Sequence, residues 1–469
     1  MLNNEINSLH LGNLEILCPQ MTLSEKASEG QSGAQVFTGS GRIAQDRSGN
    51  IIFTLLTNST QLPQGFPPLQ PGFSLNCTNS ILHHSPFVLD AEDVHGNRWR
   101  CEEVEPEFAA THGQPIIFRG TLNSLNTPGP YIGAHTLLAT TYDSVCLPCN
   151  AIYSVERKVD KIAVGYSGTL NAFQLKLLNR SILAYQEDGI QRINIEFGGM
   201  GEGRAELDRV IQTLSFLTGT LICPASLCYI QGHSEGTVLF SRPQTAGRHW
   251  LHPPFPLEGR LFPLGFLELA EAFNGTLLDE SKSKILWPRV DSVLRASDTQ
   301  SLRSFLLTLA AAIEGLVDDL SEVSEKAKGK GTKPPPELLD CINSLGLAKK
   351  TEDRLKTVVH DVFRPTIPHK LEQLAAQGKV YRELISVWRD VRNHLGHGST
   401  KSSKKNTNLS DILMKMLTLY YMVVFAFIGY IGVHWDFVSR RTVVYPLGTS
   451  LDTVKSLSRL GKPICEEQE

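Results

Sequence analysis

Between Leu302 and Leu320 the chain reads LRSFLLTLAAAIEGLVDDL. Leu302, Phe305, Leu306, Leu309, Ile313, Leu316 and Leu320 recur at steps of three and four, so they form one apolar stripe running for about five helical turns. Such a stripe needs other helices to bury it, and the chain downstream supplies the same pattern. Lys328 to Pro336 (KGKGTKPPP) ends the first helix, because Gly and Pro make it an exposed linker. Further helices are expected over 336–345, 349–363, 379–397 and 409–434, which gives a bundle of about five helices from Ser297 onward.

Upstream the pattern changes. Arg42 to Leu56 (RIAQDRSGNIIFTLL) places two short apolar runs around Ser48-Gly49-Asn50, a hairpin signal. Phe87 to Val104 repeats the idea around His95-Gly96-Asn97, and Ile116-Ile117-Phe118 starts another strand. Gln61 to Gly72 holds four prolines and two glycines and reads as loop. Turns every ten to fifteen residues suggest a sandwich or an irregular barrel. Residues 156–295 mix types, with a strand at Ile193–Phe197 and a helix at Ala205–Leu217. The expected fold class is therefore α+β and multidomain. A β-rich domain covers 1–155, a mixed regulatory or sensing region 156–295, and an all-α bundle 296–469.

The chain has 469 residues, 41% hydrophobic and 20% charged, which excludes wholesale disorder. Net charge is −3, too little for a chain coated along its length by nucleic acid. The balance is uneven, however. Ser321 to Lys405 carries 17 Lys/Arg against 10 Asp/Glu, a net of +7, and the remainder carries −10. Nine cysteines are spread from Cys18 to Cys465, unlike a small disulfide scaffold. The start MLNNEINSLHLGNLEIL has neither a basic nor a long apolar leader, so a reducing cytoplasm is the expected compartment. Met416 to Val433 (MLTLYYMVVFAFIGYIGV) carries no formal charge and is near the minimum length of a membrane span. Lys415 and Asp411 on one side, three tyrosines and two glycines within it, and a bundle that needs a central helix favour instead a buried bundle helix or one in a dimer interface.

Three motifs bear on chemistry. Gly198-Gly199-Met200-Gly201-Glu202-Gly203 lies between a strand and a helix, but Arg204 stands where a dinucleotide fingerprint needs glycine, and no Gly-Lys-Ser/Thr follows. It reads as a turn. Cys146, Cys149, Cys223 and Cys228 offer four thiolates to a structural zinc; buried thiols are the competing reading. The richest stretch is Trp388 to Gly398, WRDVRNHLGHG. It can be a polar helix end closed by Gly396 and Gly398. It can also be a metal face, with Asp390, His394 and His397 at i, i+4 and i+7. Catalysis is the third reading, through Arg392, Asn393 and His397.

Arg392-Asn393 followed by His397 is similar to the Arg-x4-6-His motif of the HEPN superfamily. Its position late in a C-terminal bundle, before another apolar helix, matches that group as well. A strand-rich N-terminal region and the stretch Ile313-Glu314-Gly315-Leu316 further resemble the ApeA-like HEPN anti-phage proteins. The resemblance covers Ser297 to about Val438, and the N-terminal region only in general character. It implies a metal-independent endoribonuclease with no cofactor, acting in abortive infection. The implied partners are RNA, a second copy whose motif faces the first across one cleft, and a phage-derived trigger bound by the N-terminal region.

These residue types suit that reaction. Histidine, with an unperturbed pKa near ~6.5, exchanges protons at neutral pH. Arginine is always charged, and its planar donors stabilise negative charge growing on phosphoryl oxygens. Asn393 can hydrogen-bond the phosphate or orient His397. On a regular α-helix five residues turn through about 500°, leaving Arg392 and His397 about 140° apart. They meet better if the helix unwinds near Gly396, or if two copies pair. His394 and Glu314 are supporting candidates, each with a structural alternative: a satisfied histidine and a solvated helix glutamate. Lys401, Lys404 and Lys405 follow the motif and can hold phosphates, or be a solvated loop. Two other classes compete, a catalytically inactive HEPN module that binds RNA or protein, and a membrane-associated receptor.

Overall fold

The computed structural model describes residues 3–447 except 27–34, 64–65, 67, 78–85, 130–134, 143–145, 160–161, 178–179, 188, 198–203, 232–233, 243–248, 258–264, 299–300, 329–333, 335, 364–365 and 396–407. The chain forms two compact units. The first comprises 1–211, 222–245 and 259–261, and the second 212–221, 246–258 and 262–469. A large β-sheet region followed by helices makes the chain α+β.

The first unit opens with helix α1 (Asn3–His10) and continues as strands β1 (Glu15–Glu25), β2 (Val36–Gln45), β3 (Ile51–Thr57), β4 (Ser74–Cys77), β5 (Phe87–Glu92), β6 (Arg98–Val104), β7 (Glu107–Thr111), β8 (Ile117–Leu122), β9 (Ser124–Asn126) and β10 (Thr136–Thr141). It goes on through β11 (Ala151–Val159), β12 (Ile162–Leu177), β13 (Arg180–Glu187) and β14 (Ile190–Phe197), the start of helix α2 (Arg204–Thr218), whose residues from Gln212 on belong to the second unit, and strands β15 (Pro224–Gln231) and β16 (Ser234–Phe240). All sixteen strands join one hydrogen-bonded ladder, ordered β11-β12-β13-β14-β10-β15-β16-β9-β6-β5-β1-β2-β3-β8-β7-β4. The ladder runs well past residue 155, so the strands expected to belong to a separate mixed region are part of the same sheet. Alternation fixes which side faces the core: on β3, Ile51, Phe53 and Leu55 are buried and Leu56 is exposed. They pack with Leu23, Ile43, Leu89, Trp99 and Phe118 in one apolar cluster.

Both expected hairpins are present, and their turns share one device. Asp46 Oδ1 accepts from the backbone N–H groups of Ser48 and Asn50 at 2.8 and 2.9 Å, and Oδ2 from the Asn50 amide at 3.0 Å. Asp93 does the same for His95 and Asn97 at 2.8 and 2.9 Å and for the Asn97 amide at 2.9 Å, and also accepts the Trp99 indole N–H at 3.0 Å. Gly49 and Gly96 take φ values of 89° and 80°, which side chains resist. Burial alone would raise both carboxyls, but these hydrogen bonds outweigh it and hold them below the usual carboxylate range.

The second unit is helical from Phe266, thirty residues before the expected start. It contains α3 (Phe266–Leu278), α4 (Glu280–Ser297), α5 (Leu302–Lys328), α6 (Pro336–Ser344), α7 (Lys349–Phe363), α8 (Ile367–Ala376), α9 (Arg382–Asp390) and α10 (Leu409–Ile428), then the hairpin β17 (Gly432–Asp436) and β18 (Arg441–Tyr445). The start of α4 is set by Asp279, whose side chain accepts from Ser281 and Lys282 N–H at 3.0 and 3.2 Å. Pro288 and the pair Asn274-Gly275 lie inside α4 and α3, and these residues hide the two helices from a pattern search. The α8 helix, unforeseen in the sequence, fills the gap before α9.

At the centre is α5, packed against α4, α8 and α10. It presents three carboxylates, each to a cation from a different element. Asp319 meets Arg289 of α4 at 2.6 Å, Asp318 meets the buried Lys370 of α8 at 2.7 Å, and Glu314 meets Arg392 at 2.9 Å. Gly315 leaves room beside α5 for the Arg289 guanidinium, which a Cβ there would displace.

The expected helix over 409–434 ends early. Gly429 adopts φ 70° and donates its N–H to Phe425 O, after which the chain turns into β17. Every residue from Met416 to Ala426 is buried. The apolar character of α10 on all faces is thus satisfied inside the unit, by α3, α5, α9 and aromatic contacts such as Phe425–Tyr445. The expectation that a second copy must cover it loses its basis. By length and composition α10 is also apolar enough to cross a membrane.

Candidate active site

The helix bearing the motif does not run regularly to His397. Helix α9 ends at Asp390, and Val391–Leu395 forms a π-helical turn. Such turns place residues five apart in register, and occur often at functional sites. Of the two cases the sequence leaves open, a regular helix and one that unwinds near Gly396, the described residues depart from the regular α-helix at Val391–Leu395.

Trp388 fixes the position of the turn. Its ring is buried, and its indole N–H donates to the carbonyl of Ala310 on α5 at 3.2 Å. Leu384, Ile385 and Val391 are buried on the same side, so the opposite side of the turn faces outward. One turn beyond Trp388, the Arg392 guanidinium lies over the Trp388 ring, 5.7 Å from its centroid. Arg392 Nη2 reaches Glu314 Oε1 at 2.9 Å, while half of the side chain remains exposed (50%). This leaves the other guanidinium nitrogens available to an anion, since arginine offers five N–H donors. Asn393 is exposed beside it. An exposed, pre-oriented cation with an amide neighbour is suited to a phosphoryl group.

Of the residues singled out in the sequence, the structure brings Arg392 and Glu314 together, and Asn393 is adjacent in the chain. Glu314 is an ion-pair partner and not a merely solvated glutamate. His394 is in the π-turn, but its side chain lies outside the described residues, as do His397, Lys401, Lys404 and Lys405. Trp388 had no assigned role in the sequence; its signal is an aromatic residue four positions before the arginine, on the same helical face.

Of the four candidate cysteines, Cys223 is half-buried. Cys146 and Cys149 are exposed, whereas Cys228 is buried on β15 with its thiol hydrogen-bonded to Glu235 at 3.0 Å. Burial, with the Glu235 bond second, pushes that thiol up to about 12. Among the described residues no group of three or more His, Cys, Asp or Glu side chains is placed to hold a metal. The 198–203 glycine stretch is outside the described residues. Compared with family models, curated proteins and solved structures, the chain matches none.

Proposed function

We propose that the chain is a metal-independent endoribonuclease of HEPN type serving anti-phage defence. The observation that carries this reading is the setting of Arg392: half exposed on a π-turn, stacked on buried Trp388 and held from behind by Glu314. In the sequence His397 follows five residues after Arg392.

The chemistry needs few groups. His397 takes the proton of a ribose 2′-hydroxyl, and the oxygen attacks the adjacent phosphorus. The bond from phosphorus to the 5′-oxygen breaks, and that oxygen leaves with the proton returned by the His397 imidazolium. Charge accumulates on the non-bridging oxygens, where Arg392 and Asn393 donate hydrogen bonds. Glu314 and Trp388 act as positioning residues. Lys401, Lys404 and Lys405, at the end of the net basic stretch 321–405 of the sequence, hold flanking phosphates, with a salt-dependent affinity. A second copy contributes its own motif to the cleft, and the β-rich unit receives the phage-derived trigger. The alternatives, an inactive binding module or a membrane receptor, make no products.

The test is purified full chain incubated with total RNA in EDTA, with the new ends analysed. Cleavage leaving a 2′,3′-cyclic phosphate and a 5′-hydroxyl is expected. Strict dependence on zinc or magnesium, or intact RNA at all enzyme concentrations with and without phage lysate, overturns the reading.

A further inference from the structure

Helix α9 shows two differently charged rows to solvent just before the turn that carries Arg392. Leu384, Ile385, Trp388 and Val391 are buried and mark its inner side. At about 100° per residue, Arg382, Ser386 and Arg389 lie about 100–160° round the axis from Trp388. Glu383 and Asp390 lie about 200–220° round from it. All five are exposed. One row is therefore basic and the next acidic. Arg392 lies over the Trp388 ring, so the basic row runs between it and the two carboxylates.

The members of the basic row are not equivalent. Arg382 is engaged by Glu372 of α8 at 3.0 Å. Ser386 Oγ donates to the Glu383 carbonyl of its own helix at 2.8 Å. Arg389, by contrast, forms no ion pair among the described residues, and neither do Glu383 and Asp390. Less than one helical turn separates Arg389 from Arg392, and the exposed Asn393 follows four residues after it. With one phosphate on Arg392, the next phosphate of a nucleotide chain falls within reach of the Arg389 guanidinium, which binds such oxygens through paired N–H donors. The acidic row decides the form of the RNA. A second strand laid outside the first brings its phosphates onto Glu383 and Asp390, and like charges repel. A single strand stays on the basic row.

We propose that Arg389 binds the phosphate next to the one that Arg392 grips, and that the substrate is a single RNA strand laid along α9. This inference rests on the ribonuclease reading and adds to it a residue outside the Arg392-Asn393-His397 motif. The test uses the full chain as wild type, Arg389→Ala and Arg389→Lys. One labelled RNA is offered as a single strand and annealed to its complement. Cleavage kinetics are measured over a range of salt, and single-strand binding is followed by fluorescence anisotropy. Arg389→Ala should raise KM and weaken binding about tenfold, with the effect on KM and not on kcat. Its plot of log affinity against log salt should be shallower by about 0.7. Arg389→Lys should recover most of the affinity. The duplex should be cut at least about tenfold more slowly than the single strand. Cleavage by wild type with KM and salt slope unchanged in Arg389→Ala, or a duplex cut as fast as the single strand, overturns this inference and leaves the ribonuclease reading standing. RNA that stays intact, yet is bound by wild type and about tenfold more weakly by Arg389→Ala, supports the Arg389 contact and overturns cleavage alone. Wild type that neither binds nor cuts the RNA overturns both.

Discussion

Trp388 donates its indole N–H to the Ala310 carbonyl, and four residues further along both helices Arg392 meets Glu314. The two contacts are one helical step apart on each side, so α9 with its π-turn lies alongside α5 in a fixed register. The first contact is buried and sets position. The second is half exposed and sets the direction of the guanidinium.

This division separates stability from activity. The Arg392–Glu314 pair is exposed enough that Glu314→Gln costs no more than about 1 kcal/mol of stability. Cleavage should nevertheless fall by about ten- to a hundredfold, because the cation loses its orientation. Urea unfolding and initial cleavage rates measured on the same preparation check this. Unchanged rates with Glu314→Gln would show that the ion pair has no part in function.

Trp388→Phe keeps the apolar ring but removes the indole donor from the Ala310 carbonyl, which as part of α5 keeps its helical partner. A loss of about 1–2 kcal/mol is expected, against about 3–5 kcal/mol for Trp388→Ala, which also opens a cavity. Thermal unfolding followed by circular dichroism ranks the two. A Trp388→Phe variant as stable as wild type would mean that the hydrogen bond contributes nothing.

His397→Ala should abolish cleavage and any growth arrest on expression, a loss of at least about a hundredfold, with the fold intact. Gel assays of RNA ends and far-ultraviolet circular dichroism read both outcomes. Wild-type cleavage in this variant assigns the proton transfer elsewhere.

Stability should also respond to acid through His434. The ring is buried on β17 between Phe425 and Tyr445, and its Nδ1 faces the Trp435 carbonyl. Burial lowers its pKa to about 4, despite smaller opposing effects of that carbonyl and Asp436. As pH falls the unfolded chain takes up the proton first. The contribution of neutral His434 is complete above about pH 6.5 and drains away toward pH 4, amounting to about 2 kcal/mol by pH 4.5. Urea unfolding at pH 7 and 4.5 should show this difference in wild type and a smaller one in His434→Phe.

Part of this protein is written in short stretches of its sequence. Asp46 and Asp93, each followed by Gly and Asn at fixed distances, bind their own turns, so both hairpins are legible from five residues. The stripe from Leu302 to Leu320 likewise announces α5, because helix periodicity acts within one turn. Arg392, Asn393 and His397 are recognisable as a motif for the same reason. Pro288 and Asn274-Gly275 misdirect local rules, and α3 and α4 form anyway because Phe266, Phe273, Leu286 and Val290 are buried in the core. Contacts between distant positions escape sequence reading altogether. The spacing of Trp388 and Arg392 does not point to Ala310 and Glu314, and the apolar surface of α10 does not reveal that this same chain covers it. These features depend on which helices become neighbours, and that is decided by the packing of many side chains at once, not by the pattern along any one segment.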